Sequence, residues 1–532
     1  MSLPTRTRRD HESEAEFLER LHAKYQGPAT MDRMLQRSVE QFGDKVALVD
    51  GQGTRLTYQA MWQTIQKLAG GLYGLGLEAG ERVAVMMRSH ARYVMSYYAV
   101  ITSHLVLVPL NVRLAPPELA YILSNAGVQA ILADREFQPV IEAALRSLNR
   151  ELPRIWTEAG EGLAWDGLLL EPKAPPTIEE SSLAAIYYTS GTTGQPKGAM
   201  ITHLNMVAVG QQNVEAWYFD SPDVVELEIS PLFHVSFQEF GPPVHAVGGT
   251  LVVDNFSPAR SLDLIEQERI NSFFAVPSML FLMLAELEKK PRDVSSVRLV
   301  KYGGAPMPQE KIRDVQQIFS KALLVQGFGQ TESTGMIAVT WPEDVAEVPL
   351  STGRAISGCQ IRIVDDEDRD LPPGQVGEVV AKGPQIMAGY WENPAATAET
   401  LRGGFLHTGD LGYLDEKERL YIVDRKKDLI IRGGQNIYSA EVEEALYTHP
   451  AVGEAAVVAQ PDPIYGEVVA AFIRLKPGWT VTGEELGHHL ADRIAVYKRP
   501  VTYRFVEDFP RTASGKIRKV ELREQLRKAA SV

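Results

Sequence analysis

The sequence predicts an α/β protein: a large N-terminal domain of layered, mainly parallel sheets with helices, a small β-barrel-like subdomain, and a small α+β C-terminal domain. Three observations predict it. Helical and strand patterns alternate through the first 330 residues or so, as in parallel sheets covered by helices. Glycines fall just after several predicted strands, at the carboxyl edge where open α/β sheets bind ligands. From Ser351 the pattern turns to short alternating strands, and beyond the charged connector Asp424 to Asp428 the chain reads as a separate unit. A chain of 532 residues also exceeds what a single core accommodates.

The elements follow in order. Met61, Ile65, Leu68 and Leu72 recur at helical spacing, which predicts a helix over Leu56 to Leu75. Gly76 and Gly80 punctuate, and Arg82 to Met87 alternates as a strand. The same grammar predicts a helix over Pro117 to Asn125 and a strand over Gln129 to Ala133. Leu183 to Tyr188 reads as a strand feeding a glycine-rich loop. Further strands are expected at Leu251 to Asp254, Ser272 to Val276, Val297 to Tyr302 and Leu323 to Gly327, with a helix over Leu262 to Arg269. Gln360 to Val364 and Gly377 to Ala381 are the strands of the small β subdomain. Asn393 and Pro394 open a short helix as cap and first-turn residue. Ser439 is expected to cap a Glu-rich helix, with strands near Ala455 to Ala459 and Val468 to Leu475.

Composition excludes several classes. The net charge of −14 argues against general nucleic-acid binding, and it leaves any polyanionic ligand to local basic groups. The apolar region Val83 to Leu110 is interrupted by Arg88, His90, Arg92 and His104, so it reads as core and not as an integral membrane segment. The lone Cys359 allows no internal disulfide, which fits a reducing compartment. Met1 to Glu19 lacks the apolar core of a signal peptide, and the expected location is cytoplasmic.

The chemistry concentrates in a few stretches. The loop Thr189-Ser190-Gly191-Thr192-Thr193-Gly194-Gln195-Pro196-Lys197 combines glycines, hydroxyls and one lysine. Glycine lets backbone N–H groups turn toward an anion, and the lysine adds charge, so the loop is suited to polyphosphate. Its spacing is not that of a Walker A loop. Gln326-Gly327-Phe328-Gly329-Gln330-Thr331-Glu332 places a carboxylate beside small residues, and hard Mg²⁺ favours carboxylate and phosphate oxygens. Gly303-Gly304-Ala305-Pro306 reads on its own as a turn. Thr408-Gly409-Asp410 offers a two-oxygen acceptor. Pro510-Arg511-Thr512-Ala513-Ser514-Gly515-Lys516-Ile517 sets a single lysine, Lys516, beside hydroxyls and a glycine.

These motifs, in this order from about Phe42 to Lys519, resemble the ANL superfamily of adenylate-forming enzymes in its acyl-CoA synthetase branch. The resemblance implies ATP, Mg²⁺ and coenzyme A as cofactor and co-substrates. It implies that Thr189, Ser190, Gly191, Thr192, Thr193, Gly194 and Lys197 hold phosphates, and that Gly304, Ala305, Pro306, Gln326, Gly327, Phe328 and Gly329 line the adenine and its surroundings. Thr331 contacts the α-phosphate, Glu332 with Thr189 serves the metal, and Asp410 and Arg425 reach the ribose. Lys516 is the implied catalytic lysine. Residues 1–426 form the implied adenylation domain and 428–532 a mobile C-terminal domain, rotating about the hinge Lys427 between half-reactions. Gly433, Gly434, Tyr497 and Arg499 match coenzyme A positions.

For the acid, the resemblance points to His234 at the substrate carboxylate, with Phe237, Glu239, Ala275, Val276, Pro277, Gly303 and Gly304 as walls. These are mainly small or apolar, which leads to a medium- or long-chain fatty acid as the first expectation. An aromatic or cyclic acid is the alternative, and adenylation or nucleotide binding without transfer to coenzyme A is the alternative of another class. The expected partners are therefore small molecules, with no nucleic acid and a homodimer left open.

Overall fold

The computed structural model describes residues 12–173, 176–189, 195–217, 221–305, 307, 309–341, 344, 347–348, 351–511 and 517–530. Among these residues the strands form four sheets. The first has nine strands, in the order 354–355, 335–339, 323–330, 299–303, 272–274, 225–228, 250–253, 46–50 and 55–57. Its six strands from Leu323–Gln330 to Val46–Asp50 run parallel, and antiparallel strands close both margins. The second has eight, in the order 389–390, 197–202, 183–189, 106–109, 82–86, 128–133, 154–156 and 163–164. Buried residues of both sheets and of helices Ala91–Thr102, His203–Ala216 and Ser236–Ala246 make one continuous apolar core. Strands buried on both faces read as apolar runs, which is why Val83 to Leu110 looked so hydrophobic. Among the described residues no helix is long and apolar enough to cross a membrane.

The small β subdomain is a four-stranded antiparallel sheet, ordered 360–364, 377–382, 406–414, 420–425. The C-terminal unit builds its own sheet from 430–432, 435–437, 452–462, 466–475 and 502–505, with separate apolar clusters.

Most predicted elements are present within a residue or two. The helix expected over Leu56 to Leu75 starts at Tyr58, because Arg55–Thr57 first pairs as an edge strand and Thr57 then caps the helix, accepting from the Ala60 N–H. Asn393 caps Pro394–Thr400 as expected, its Oδ1 accepting from the Ala396 N–H at 3.0 Å. Ser439 does not act as a cap. It is the first helical residue, and its backbone N–H and hydroxyl both donate to the Asp424 carboxylate across the connector. A nearby carboxylate two sequence segments away out-competed the local helix end.

Candidate active site

The glycine-rich loop joins two antiparallel strands, Leu183–Thr189 and Lys197–Thr202, with Thr189 opposite Lys197. The second strand of this hairpin was not legible in the sequence. Its base is held tightly. A Cβ on Gly198 would lie 2.6 Å from Ile186 and 3.1 Å from the Tyr188 ring, so only glycine fits there. The Tyr188 hydroxyl donates to Asn125 Oδ1 at 2.6 Å, and the Trp391 N–H donates to the Gly198 carbonyl at 2.7 Å. Ser190, Gly191, Thr192, Thr193 and Gly194 lie outside the described residues, as do Pro306 and Lys516.

Tyr390 links the two strongest motifs. The strand Gly389–Tyr390 adds to the hairpin, pairing Tyr390 with Ala199. Lys197 Nζ sits over the Tyr390 ring, 5.0 Å from its centroid. The Tyr390 hydroxyl donates to Glu332 Oε1 at 2.8 Å, and the Met387 N–H donates to the Glu332 carbonyl at 2.9 Å. Burial, with the Glu332 charge added, pushes the Tyr390 hydroxyl well above the usual phenol range, so it remains a donor. One ring thus fixes the spacing between a lysine and a carboxylate that are 135 positions apart in sequence numbering. The sequence signal for Tyr390 is the Gly-Tyr-Trp run at 389–391.

Glycines clear the carboxyl edge beside this node. Gly303 and Gly327 face each other across parallel strands, and a Cβ on Gly303 would stand 2.5 Å from the Gly327 carbonyl oxygen. A Cβ on Gly329 would stand 1.7 Å from the Gly335 carbonyl oxygen. Gly304 is in the left-handed region at φ 75°. Gln326 accepts from the Tyr302 hydroxyl at 3.3 Å, and its N–H donates to Thr340 Oγ1. Thr331 and Glu332 occupy a single 3₁₀ turn at the end of the strand. Phe328 packs against apolar residues of the small β sheet, among them Val379, Ala381 and Leu406, and so anchors that sheet on the same edge.

On the small sheet, Asp410 and Arg425 stand opposite each other on paired strands, with Arg425 Nε 3.1 Å from Asp410 Oδ1. Gly409, at φ 71°, lies at a register irregularity inside strand Leu406–Leu414 just before Asp410, and Thr408 Oγ1 accepts from the Asp410 N–H. Lys427 lies in the 3₁₀ turn Lys426–Asp428, directly after this strand. The C-terminal helix reaches back to the turn: Arg523 donates to the Lys427 carbonyl at 3.3 Å and pairs with Asp428.

The other predicted positions divide. Gly433 and Gly434, both at positive φ, lie beside Tyr465, and Arg432 stacks on the Tyr465 ring while donating to the Tyr497 carbonyl. These residues form one surface. Arg499 instead donates to the Ala491 and Ile494 carbonyls after helix Gly483–Ala491, which gives it a local reason to be there. His234 sits just before helix Ser236–Ala246, its ring 4.7 Å from Phe233. Phe237 is not a wall residue. It is fully buried and packs edge-on against Tyr97 at 4.9 Å and Tyr93 at 6.0 Å, in the core between the sheets. The ring that faces the Gly303 strand is Phe240, stacked on Phe274 at 4.5 Å. Glu239 reaches Gly335, where a Cβ would lie 2.2 Å from its Cγ. Val276 caps helix Pro277–Lys289 with its backbone, just past the strand that carries Phe274.

The donor set suits Mg²⁺. Among the described residues no three His, Cys, Asp or Glu side chains gather as a metal cage. Glu332, in the 3₁₀ turn at the strand end, offers the single carboxylate of an ion that keeps most of its ligands as water and phosphate.

Residues 35–391 match the family model described as AMP-binding enzyme, and residues 441–516 match that of the AMP-binding enzyme C-terminal domain. The chain is 37% identical over 476 residues to a feruloyl-CoA synthase of Amycolatopsis sp, covering 89% of this chain and 94% of the relative. It is 33% identical over 541 residues to a long-chain-fatty-acid–CoA ligase of Bacillus subtilis (strain 168), covering 93% and 94%. Among solved structures, the anthranilate CoA ligase AuaEII in complex with anthranoyl-AMP superimposes with a TM-score of 0.88 at 26% identity, over 94% of this chain and 98% of that one.

Proposed function

Because this chain belongs to the AMP-binding enzyme family, in the acyl-CoA synthetase branch of the ANL adenylate-forming enzymes, we propose that it converts an aryl carboxylic acid to its coenzyme A thioester at the expense of ATP. The observation that carries the reading is the shared contact of Lys197 and Glu332 on Tyr390, which sets the polyphosphate loop beside the metal-suited carboxylate.

In the first step the acid's carboxylate oxygen attacks the α-phosphorus, the bond to the bridging oxygen breaks, and pyrophosphate leaves. Lys197 and the loop amides hold the phosphates, while Thr331 and Glu332 stand at the strand end beside them. Mg²⁺, when bound, neutralises phosphate charge. Asp410 accepts from the ribose hydroxyls, with Arg425 beside it. Lys516, brought in by the C-terminal domain, meets the charge that develops as the two anions join. In the second step the thiolate of coenzyme A attacks the acyl carbonyl and AMP departs, with Gly433 and Gly434 leaving room for the pantetheine arm after rotation at Lys427.

An aromatic acid takes the place of the fatty acid to which the expected wall residues led. Two features support the change. The ring facing the Gly303 strand is stacked on a second ring, and charged groups lie directly below. Relatives named for both acid classes are similar to this chain. The test is mass-spectrometric detection of the thioester from purified protein, ATP, Mg²⁺ and coenzyme A. Aryl acids are expected to give a thioester and AMP together, and pyrophosphate release without any thioester would favour the alternative that stops at the adenylate.

A further inference from the structure

Where the chain passes from the small β sheet into the C-terminal unit, a carboxylate on one side caps a helix on the other. Asp424 belongs to strand Leu420–Arg425 and is held opposite Leu411 in the small sheet. Ser439 opens helix Ser439–Tyr447, whose Val442 and Leu446 are buried in the C-terminal unit's own core. Lys427 lies between the two in the chain. The Ser439 N–H donates to Asp424 Oδ2, and the Ser439 hydroxyl donates to Asp424 Oδ1 at 3.1 Å. The first N–H groups of a helix have no partner within it, and Tyr438 at the cap position makes no side-chain bond to them. Asp424 supplies the missing acceptor from outside the helix.

Both partners are buried, Asp424 to 7% exposure and Ser439 completely. A cation backs the contact. Lys519, on helix Lys519–Ala530, donates to Ser439 Oγ at 2.7 Å and pairs with Glu443 at 2.8 Å. Burial works against the Lys519 ammonium, but the Glu443, Asp428 and Asp424 carboxylates outweigh it and hold its pKa above the ordinary lysine range. The same helix braces the C-terminal side of the connector: Arg523 pairs with Asp428 and donates to the Lys427 carbonyl at 3.3 Å. Lys427 therefore has a braced element on either side, and the buried Asp424–Ser439 contact spans them.

Resting on the reading that the C-terminal domain turns about Lys427 between half-reactions, we propose that Asp424 is a positioning residue: it latches the C-terminal domain in the orientation seen here and releases Ser439 when the domain turns. Three arguments carry the latch. Hydrogen bonds weaken steeply once their angle falls below about 120°, and a large turn of helix Ser439–Tyr447 against strand Leu420–Arg425 takes both bonds past that limit. Release leaves the helix start uncapped and moves a carboxylate away from the positive end of the helix and from Lys519, so the orientation seen here is the favoured one. The contact is also weak enough to open, because a helix cap shifts an equilibrium by only about 5-fold.

The experiment places spin labels at Lys321→Cys and Lys528→Cys, both exposed, on the full chain with Cys359→Ala removing its one cysteine. Pulsed electron resonance then measures the distance between the labels, without ligand and with AMP and coenzyme A. The wild type without ligand is expected to favour the distance of this structure. Asp424→Ala should lower the ratio of that population to all others about 5-fold. Asp424→Asn, which keeps an acceptor for the helix N–H, should restore most of that population, and Ser439→Ala, which removes only the hydroxyl bond, should give a smaller shift than Asp424→Ala. With cinnamate as the acid, Asp424→Ala should change the ratio of pyrophosphate exchange to thioester formation from supplied cinnamoyl-AMP by a similar factor, whereas a variant that is only less stable lowers both rates alike. An unchanged distance distribution in Asp424→Ala, beside a wild type that reaches a second distance with AMP and coenzyme A, would overturn the latch and leave the rotation standing. A single distance in the wild type under both conditions would instead remove the rotation on which the latch rests.

Discussion

Two ion pairs in this molecule have similar geometry and opposite surroundings. Lys301 and Glu226 meet at 2.7 Å with both side chains wholly removed from solvent. Arg425 and Asp410 meet at 3.1 Å with the arginine side chain 49% exposed. The first pair cannot exchange its partners without leaving a charge stranded in the core, so it is a fixed element of the sheet's interior. The second is one-sided: the Asp410 side chain is only 6% exposed, while water reaches the arginine, whose contact a ligand's hydroxyls can replace. Burial, more than distance, decides which pair holds shape and which can take part in binding.

The largest effect that tests this contrast is Lys301→Met. It strands the Glu226 carboxylate and should lower unfolding free energy by about 3–5 kcal/mol in urea melts, whereas Glu226→Leu with Lys301→Met should recover most of that loss. Equal losses in the single and double variants would show that the pair is not coupled. Next is Tyr390→Phe, which keeps the ring against Lys197 but removes the donor to Glu332. Its kcat/KM for ATP should fall about 10-fold, in line with a hydrogen bond to a charged group, with the melting curve nearly unmoved. Unchanged kinetics would separate Tyr390 from the site. The smallest is Arg425→Ala, expected to raise the KM for ATP a few-fold and to shift stability by no more than ~0.5 kcal/mol. A loss of stability as large as that of Lys301→Met would erase the distinction between the two pairs.

Glycines made much of the site legible. Gly303, Gly304, Gly329 and Gly409 are required by close backbone approach or positive φ, and such needs leave a mark in the sequence whatever surrounds them. Asp410 and Arg425 were reached through the family resemblance, since by themselves they read as a turn and a charged connector. The buried charges of the nine-stranded sheet were not legible. Glu226 and Glu228 alternate with Val225 and Leu227, a pattern that reads as one solvated face, and no strand was expected there. Only register with Ser272 and Phe274 shows that this face is interior. Helix Ser236–Ala246 was equally hidden, because Pro242 and Pro243 lie inside it. Phe237 was assigned to the pocket from its position in the chain alone, and the helix turns it instead toward Tyr93 and Tyr97.

The central claim is that the loop ending at Lys197 and the carboxylate of Glu332, held together by Tyr390 and joined by Lys516, position one nucleotide triphosphate for attack by a carboxylate. Exchange of labelled pyrophosphate into ATP measures that step alone, without coenzyme A. The account predicts exchange that depends on an added aryl acid and on Mg²⁺ and falls at least ~10²-fold in Lys516→Ala. Exchange that proceeds equally without any acid, or that is untouched by Lys516→Ala, would contradict it.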